Sequence, residues 1–253
     1  MAGAVIEFFS APIAIVIDAL SFMLSGGLIF AIRQSELPPH PSPRLPMFQE
    51  IRVGLSTVLG NPVLRSLAAC MGSINFVDAG MMALFILFAT QELGLGPAQI
   101  GLILGVGSAS GLLGAIAAER IARRFGVGRV IVWGVLIYGI GAIPVAFAQP
   151  ETAFPLLICA FLVFSLAGPV FSINQLSLRQ AITPHRLQGR MNATMRFLNT
   201  GPMALGGLVG GWLGAAIGLR PAIILLIAAG LFSFLLVYFS PVRKLQAFPE
   251  PVD

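Results

Sequence analysis

The sequence predicts an all-α membrane protein with seven transmembrane helices. Of its 253 residues, 57% are hydrophobic and only 10% are charged, whereas soluble chains average about 25% charged residues. The mean hydropathy is +0.93, and apolar runs of the length that spans a bilayer, about 20 residues, are separated by stretches rich in Gly, Pro and Arg. This composition excludes a soluble enzyme, a disordered chain and a disulfide-stapled secreted domain.

The apolar runs define the seven helices in order. Backbone polar groups in hydrocarbon must be satisfied within the segment, and the alternating pattern of barrel strands is absent, so we expect each run to be helical. The approximate bounds are 7–32, 65–90, 99–118, 130–148, 154–178, 191–216 and 222–240. The chain then divides into a first span (1–32), a Pro-rich cytoplasmic linker (33–64), a bundle of six spans (65–240) and a cytoplasmic tail (241–253).

The linker carries one further helical pattern. Five prolines fall between positions 38 and 46. After them, segment 47–59 places apolar residues at helical spacing, namely Phe48, Ile51, Leu55, Val58 and Leu59. This pattern predicts an amphipathic helix at the membrane interface, with a plain solvated linker as the alternative.

The basic residues predict the orientation in the membrane. Thirteen of the fifteen fall in or beside alternate connections and the tail, and only Arg196 and Arg220 do not. By the positive-inside rule, loops 33–64, 119–129 and 179–190 are cytoplasmic, so the N-terminus lies outside and the C-terminus inside an inner cell membrane. An apolar N-terminus that starts on the outer side suggests a truncated chain. The net charge of +5 is spread between apolar spans, which argues against nucleic acid as a partner.

Three stretches carry a family resemblance. The first is Asp18-Ala19-Leu20-Ser21-Phe22, followed by Glu50–Leu55 and Asn61–Arg65. The second, between the third and fourth spans, comprises Gly114, Glu119, Arg120, Arg123, Arg124, Phe125, Gly126, Gly128 and Arg129. The third is Arg179–Pro184 with Gln188–Ala193, before a glycine-rich sixth span. Together they resemble the major facilitator superfamily, nearest to the branch of the enterobactin exporter, macrolide-efflux proteins and transmembrane secretion effectors.

The resemblance implies both an architecture and a function. The first span resembles the sixth of the family's twelve helices, and the other six resemble its C-terminal bundle. The implied activity is secondary active, proton-coupled efflux of small amphipathic molecules such as drugs, macrolides or siderophores. It requires no cofactor and no metal. The lipid bilayer and a small-molecule substrate are the expected partners, together with an N-terminal half or a second copy that completes the cavity.

The second stretch resembles the family's cytoplasmic gating motif, with Glu119 at the acid position and an extra turn before Gly126. The resemblance implies a charge latch between Glu119, the arginines of this motif and a neighbouring helix end, which breaks as the cytoplasmic side opens. The alternative is that the arginines only follow the positive-inside rule and meet anionic lipid headgroups.

Polar residues inside spans give the candidate coupling and cavity sites. A charge in hydrocarbon is costly unless paired or hydrated, so Asp78, about 20 Å along its helix from Arg65, is the main coupling candidate. Asn75 shares its face, and Asp18 is a further candidate that also fits a structural hydrogen bond. Five more polar residues are cavity candidates or, alternatively, inter-helix hydrogen-bonding groups: Asn174, Gln175, Asn192, Arg196 and Asn199.

Glycines repeat in two spans. They are Gly101, Gly105, Gly107, Gly111 and Gly114 in the third span, and Gly206, Gly207, Gly210, Gly211 and Gly214 in the sixth. Such stripes allow close helix packing, and the alternatives are surfaces on which helices slide during transport or a homodimer seam.

The sequence also bears on two function classes other than transport. A membrane-embedded enzyme is disfavoured, because the two histidines, His40 and His185, lie in predicted loops. A retinal-type receptor needs a buried lysine, and the only lysine, Lys244, lies in the tail. A non-transporting half-bundle that acts as a regulatory or scaffold subunit remains the alternative to a transporter.

Overall fold

The computed structural model describes residues 11–31 and 46–246, and within these ranges all regular structure is helical. The α-helices are α1 (Ala11–Phe30), α2 (Met47–Gly60), α3 (Pro62–Leu87), α4 (Pro97–Phe125), α5 (Val127–Phe147), α6 (Ala153–Ala181), α7 (His185–Ile217) and α8 (Leu219–Tyr238). One π-helical turn, Phe88–Glu92, continues α3, and a 3₁₀ turn, Pro241–Lys244, follows α8. Residues 1–45, which include α1, form a unit separate from residues 46–253.

Six of the described helices, α3 to α8, are long and apolar enough to cross a membrane. The first predicted span, 7–32, lies partly outside the described residues, and its described part contains α1. The count of seven spans therefore stays a prediction. Asp18 belongs to α1, but its side chain lies outside the described part, as do Glu7 and His40.

The helices are longer than the apolar runs at the end of the bundle that carries the clustered arginines, called here the arginine-rich end. Predicted loop 119–129 is helical except at Gly126, whose φ of +86° lets this single residue connect α4 to α5. Predicted loop 179–190 is also mostly helical, and His185 begins α7 instead of lying in a loop. Hydropathy falls at the first charged residue, but Arg, Glu and Ala are good helix formers, so the backbone helix continues beyond the apolar run.

The start of α3 also lies outside the predicted apolar span, and an N-cap residue defines it. The helix begins at Pro62, three residues before the predicted span. The Asn61 side-chain oxygen accepts hydrogen bonds from the backbone N–H groups of Val63 and Leu64 at 2.9 and 3.3 Å. Asparagine as N-cap and proline in the first turn are a favoured helix start, which sets this boundary independently of hydropathy.

The bundle is a series of neighbouring helices in the order α4, α6, α5, α8, α3 and α7. Glycines set the closest crossings. Gly206 abuts the backbone of Phe76, and Gly210 abuts Gly80, where α7 crosses α3. Gly114 similarly abuts the backbone of Leu166, where α4 crosses α6. A Cβ atom at any of these positions would meet neighbouring backbone, so the helices could not approach as they do.

The predicted glycine stripes divide into a packed set and an open set. Gly107, Gly111 and Gly114 face α6, and Gly206, Gly210 and Gly214 face α3 or the start of α8. An ideal Cβ at four other stripe positions would have no contact within 4 Å: Gly101, Gly105, Gly207 and Gly211. Tight packing thus accounts for the first set only.

Segment 47–59, for which the sequence predicts an amphipathic helix, lies within α2, which packs on α3 and α7. The buried residues of α2 are Gly54 and Val58, with Gly54 against Thr194. Of the predicted apolar stripe, Val58 is buried in the bundle, whereas Phe48, Ile51 and Leu59 are exposed. The bundle therefore contacts α2 through Gly54 and Val58. A position of α2 at the membrane interface stays a prediction.

The tail closes over the turn between α4 and α5. The Gly128 N–H donates to the Leu245 carbonyl at 3.0 Å, and Val242 is fully buried. Gly126 and Gly128 both lie so close to the tail backbone that a Cβ at either position would meet it. Two glycines of the stretch that resembles the gating motif are therefore required for packing, because residues 241–246 run directly against them.

Candidate functional site

A cavity of about 410 Å³ lies inside the bundle, and all six of its spans contribute to the lining. Most of the lining is apolar, with aromatic and methionine side chains that include Phe85, Phe161, Phe164, Met81, Met82 and Met203. The polar side chains on it are Asn75, Asp78 and Tyr138. Concave, mostly apolar sites with a few placed polar groups are typical of small-molecule binding.

Asp78 and Tyr138 form the polar centre of this cavity. The Tyr138 hydroxyl on α5 donates to Asp78 Oδ2 on α3 at 2.7 Å. The Tyr138 ring lies 4.5 Å from the Phe164 ring, centroid to centroid, and also packs on Gly168. The hydroxyl is thus held in place by contacts with α6. In an apolar wall this arrangement gives the carboxyl a fixed hydrogen-bond donor.

Asn75 lies on the cavity wall beside Asp78, as its position on the same helix face predicts, but its hydrogen-bond partner belongs to another helix. Its amide donates to the backbone carbonyl of Asn199 on α7 at 3.0 Å. The two residues share the cavity wall but have different partners. Tyr138 is not among the site residues that the sequence predicts. The available signal was a hydroxyl in the middle of an apolar span, because a buried tyrosine usually finds a hydrogen-bond partner.

The five other polar candidates do not share one site in the structure. The Asn174 amide donates to Ala118 of α4 at 3.2 Å and to Val170 within α6 at 2.8 Å. Gln175 is buried, Asn192 and Asn199 are half-buried, and Arg196 is exposed. Within the described ranges, Gln175 Oε1, Arg179 Nε and Asn199 Oδ1 are buried atoms without a hydrogen-bond partner. Asn174 therefore ties α6 to α4, whereas Asn199 ties α7 to α3.

The gating-motif residues surround the turn between α4 and α5. Glu119 pairs with Arg123 at 2.7 Å within the same helix, and both side chains are exposed. Arg120, Arg124 and Arg129 are exposed as well, and Arg124 lies over the Phe125 ring. In this conformation the Glu119 ion pair therefore does not reach a neighbouring helix, because its partner is one turn away on α4.

An ion pair between two helices is found instead at the start of α7. Arg190 lies 3.3 Å from Glu50 of α2, and both side chains are partly buried. Gly54, one turn further along α2, lies against the Arg190 carbonyl. Charge and close packing together fasten α2 to α7 at the arginine-rich end.

A second polar cluster lies at the opposite end of the bundle, where the sequence showed only an isolated arginine. Arg220, at the start of α8, lies 3.3 Å from Glu92 and donates to the Ala146 carbonyl at 2.9 Å. Its guanidinium also stacks over the Phe88 ring at 5.0 Å from the centroid. One side chain thus joins the ends of α3, α5 and α8, and its partners on α3 belong to the π-helical turn.

Comparisons with known proteins agree with this architecture. The family model described as Major Facilitator Superfamily matches residues 1–195 and 68–253. The multidrug resistance protein MdtH of Aeromonas hydrophila subsp. hydrophila is 26% identical over 175 residues, which is 68% of this chain and 43% of that protein.

A solved structure is similar in fold. The crystal structure of a bacterial homologue of the iron transporter ferroportin in an outward-facing state superimposes with a TM-score of 0.65 at 18% sequence identity. The match covers 94% of this chain and 58% of that one. The chain thus spans about half the length of the relatives it matches. Because the family model covers the chain along its length, the chain belongs to the major facilitator superfamily.

Proposed function

We propose that this chain is part of a secondary active transporter that exports small amphipathic molecules, such as drugs, macrolides or siderophores, in exchange for protons. The observation that carries the proposal is the apolar cavity of about 410 Å³ with a single carboxyl, Asp78, on its wall. Family membership favours transport over catalysis, and one relative is named a multidrug resistance protein.

The cavity chemistry supports an amphipathic substrate. Methionine side chains are flexible and polarizable, so Met81, Met82 and Met203 can adapt to ligands of different shape. The phenylalanine rings on the same wall offer flat apolar surfaces. Asn75 supplies a polar contact that would orient a ligand whose other face is apolar.

Asp78 is also the proposed coupling residue. During transport the cavity opens alternately to the two sides of the membrane, so the carboxyl is hydrated in one state and surrounded by apolar side chains in the other. It can therefore take up a proton in one state and release it in the other. Tyr138 would hold the carboxylate after release, because its hydroxyl already donates to Oδ2. When the carboxyl is protonated, the same hydroxyl can accept from it.

We further propose that an N-terminal half or a second copy of this chain completes the transport path. Major facilitator carriers bind substrate between two six-helix halves, with alternating access arising from rocking of the halves. The open set of glycines on α4 and α7 leaves smooth helix surfaces that a partner of this kind could approach.

The test is Asp78→Asn in the completed transporter, reconstituted in liposomes with an imposed pH gradient and a fluorescent amphipathic cation as substrate. We expect substrate binding close to that of the wild type and loss of the pH dependence of transport. Tyr138→Phe should keep the coupling and slow transport, because the carboxyl remains and only its hydrogen bond is removed. Glu151→Gln is the matched control, because Glu151 is exposed and away from the cavity.

Unchanged pH-driven transport by Asp78→Asn would refute the coupling role. Absence of transport by the wild-type chain both with and without its partner would favour a regulatory or scaffold subunit. Substrate binding distinguishes these outcomes, because a scaffold need not bind the amphipathic cation.

A further inference from the structure

A second hollow, a groove of about 470 Å³, lies between α3 and α7 and shares no lining residue with the cavity. Its floor consists of small side chains on α3, namely Ala68, Ala69, Gly72 and Ser73. Its walls are Leu59 and Phe76, with Leu198 and Pro202 of α7. The groove exists because these small side chains leave open the space that larger side chains would fill.

The groove lies on the side of α3 that faces α7 and α8. Gly72 abuts the Leu198 carbonyl of α7, and the Ser73 hydroxyl is hydrogen-bonded to Ser233 of α8 at 2.7 Å. Asp78, five residues beyond Ser73, lies about 140° further around the helix, because each residue turns it by about 100°. The groove therefore opens on a different side of α3 from the coupling site.

One end of the groove is cationic. Arg65 lies on its lining at the arginine-rich end and is exposed. One of its N–H groups donates to the Leu59 carbonyl at 3.3 Å. Within the described ranges it forms no ion pair. A guanidinium has five N–H donors in a fork that matches phosphate oxygens, so donors remain for an anion.

The dimensions of the groove match one lipid chain. Arg65 and Phe76 are eleven residues apart, which is about 16 Å along the helix and close to half of the hydrocarbon core of about 30 Å. This is the length over which one acyl chain of the leaflet at the arginine-rich end extends.

We propose that this groove binds an acidic phospholipid, whose phosphate meets Arg65 and whose acyl chain lies along Ala69, Gly72 and Phe76. The cation selects the headgroup charge, and the apolar floor takes the chain. The site belongs to the leaflet at the arginine-rich end. It is independent of the proposed transport activity, because it requires only that the bundle lies in a bilayer.

The test is photolabelling of the purified chain in phosphatidylcholine nanodiscs. The probes are phosphatidylglycerol and phosphatidylcholine, each with the same diazirine-bearing acyl chain. We expect phosphatidylglycerol to label the peptides around Ala69 and Leu198 about fivefold more strongly, which corresponds to about 1 kcal/mol for one arginine near an anionic headgroup. Arg65→Gln should lower phosphatidylglycerol labelling to the phosphatidylcholine level. Ala69→Trp should prevent labelling of the groove by both lipids.

Matched controls separate the site from general effects. Arg186→Gln removes another exposed cation without touching the groove, and Ala229→Trp adds an indole at an exposed position of α8. Both should leave the labelling pattern unchanged. Equal labelling by the two lipids in the wild-type chain would overturn the proposal, and so would labelling that survives Arg65→Gln.

Discussion

The packed and open glycines predict opposite effects for the same substitution at neighbouring positions. In Gly206→Ala the new methyl group would meet the Phe76 backbone carbonyl, which cannot move unless α3 and α7 separate. Overpacking of this kind costs about 1–3 kcal/mol. In Gly207→Ala the methyl group points to open space, and alanine is favoured over glycine in helices by about 1 kcal/mol. The helix-propensity gain applies equally at both positions, so the free energies of unfolding of the two variants should differ by the overpacking cost, about 1–3 kcal/mol.

The assay is titration of the purified chain in detergent with sodium dodecyl sulfate, followed by fluorescence of its two tryptophans. The pair Gly210→Ala and Gly211→Ala repeats the comparison one turn further along α7, where Gly210 abuts Gly80. Equal stability within each pair would refute the packing argument. If Gly206→Ala kept full stability but lost transport in the completed protein, the sliding-surface interpretation would be favoured.

Three further measurements test the topology and the two charge clusters. In a background without cysteines, Glu151→Cys should react with an impermeant thiol reagent in intact cells and Ser42→Cys should not, whereas the reverse pattern would invert the predicted orientation. Arg220→Gln should lower the free energy of unfolding by about 2 kcal/mol, because a charged hydrogen bond and a half-buried ion pair are both lost; no change would mean that the cluster is not structural. Glu119→Gln should alter it by less than about 0.5 kcal/mol, because its ion pair is exposed, and a larger loss would point to a partner beyond α4.

The depth of a residue could be predicted from the sequence, but its partner could not. Hydropathy placed Asp78 inside a span, and the structure finds it on a cavity wall. Its donor, Tyr138, is sixty residues away and belongs to a helix that reaches it only across the cavity. Helical periodicity shows which residues share a face of one helix. It contains no information about which faces of different helices pack against each other.

The same limit explains Arg220 and the ends of the helices. A lone arginine between two apolar runs predicts a loop charge, yet its three partners come from α3 and α5, which precede it by more than seventy residues. Helix ends were predicted too short at the arginine-rich end because hydropathy measures partition into lipid, whereas helix propensity continues into water. The glycine spacing predicted stripes, but only the neighbouring helix decides which half of each stripe is packed.

The passage of residues 241–246 over the turn between α4 and α5 has a consequence for biosynthesis. Leu245 follows Gly128 by 117 positions in the sequence, which takes about 6–23 s at a translation rate of about 5–20 residues per second. During that interval the rest of α5 and then α6, α7 and α8 are synthesised, and the Gly128 N–H lacks its acceptor until Leu245 is made. A nascent chain arrested after α8 but before Leu245 would carry every span of the bundle with this turn still unfastened, accessible to proteases and chaperones.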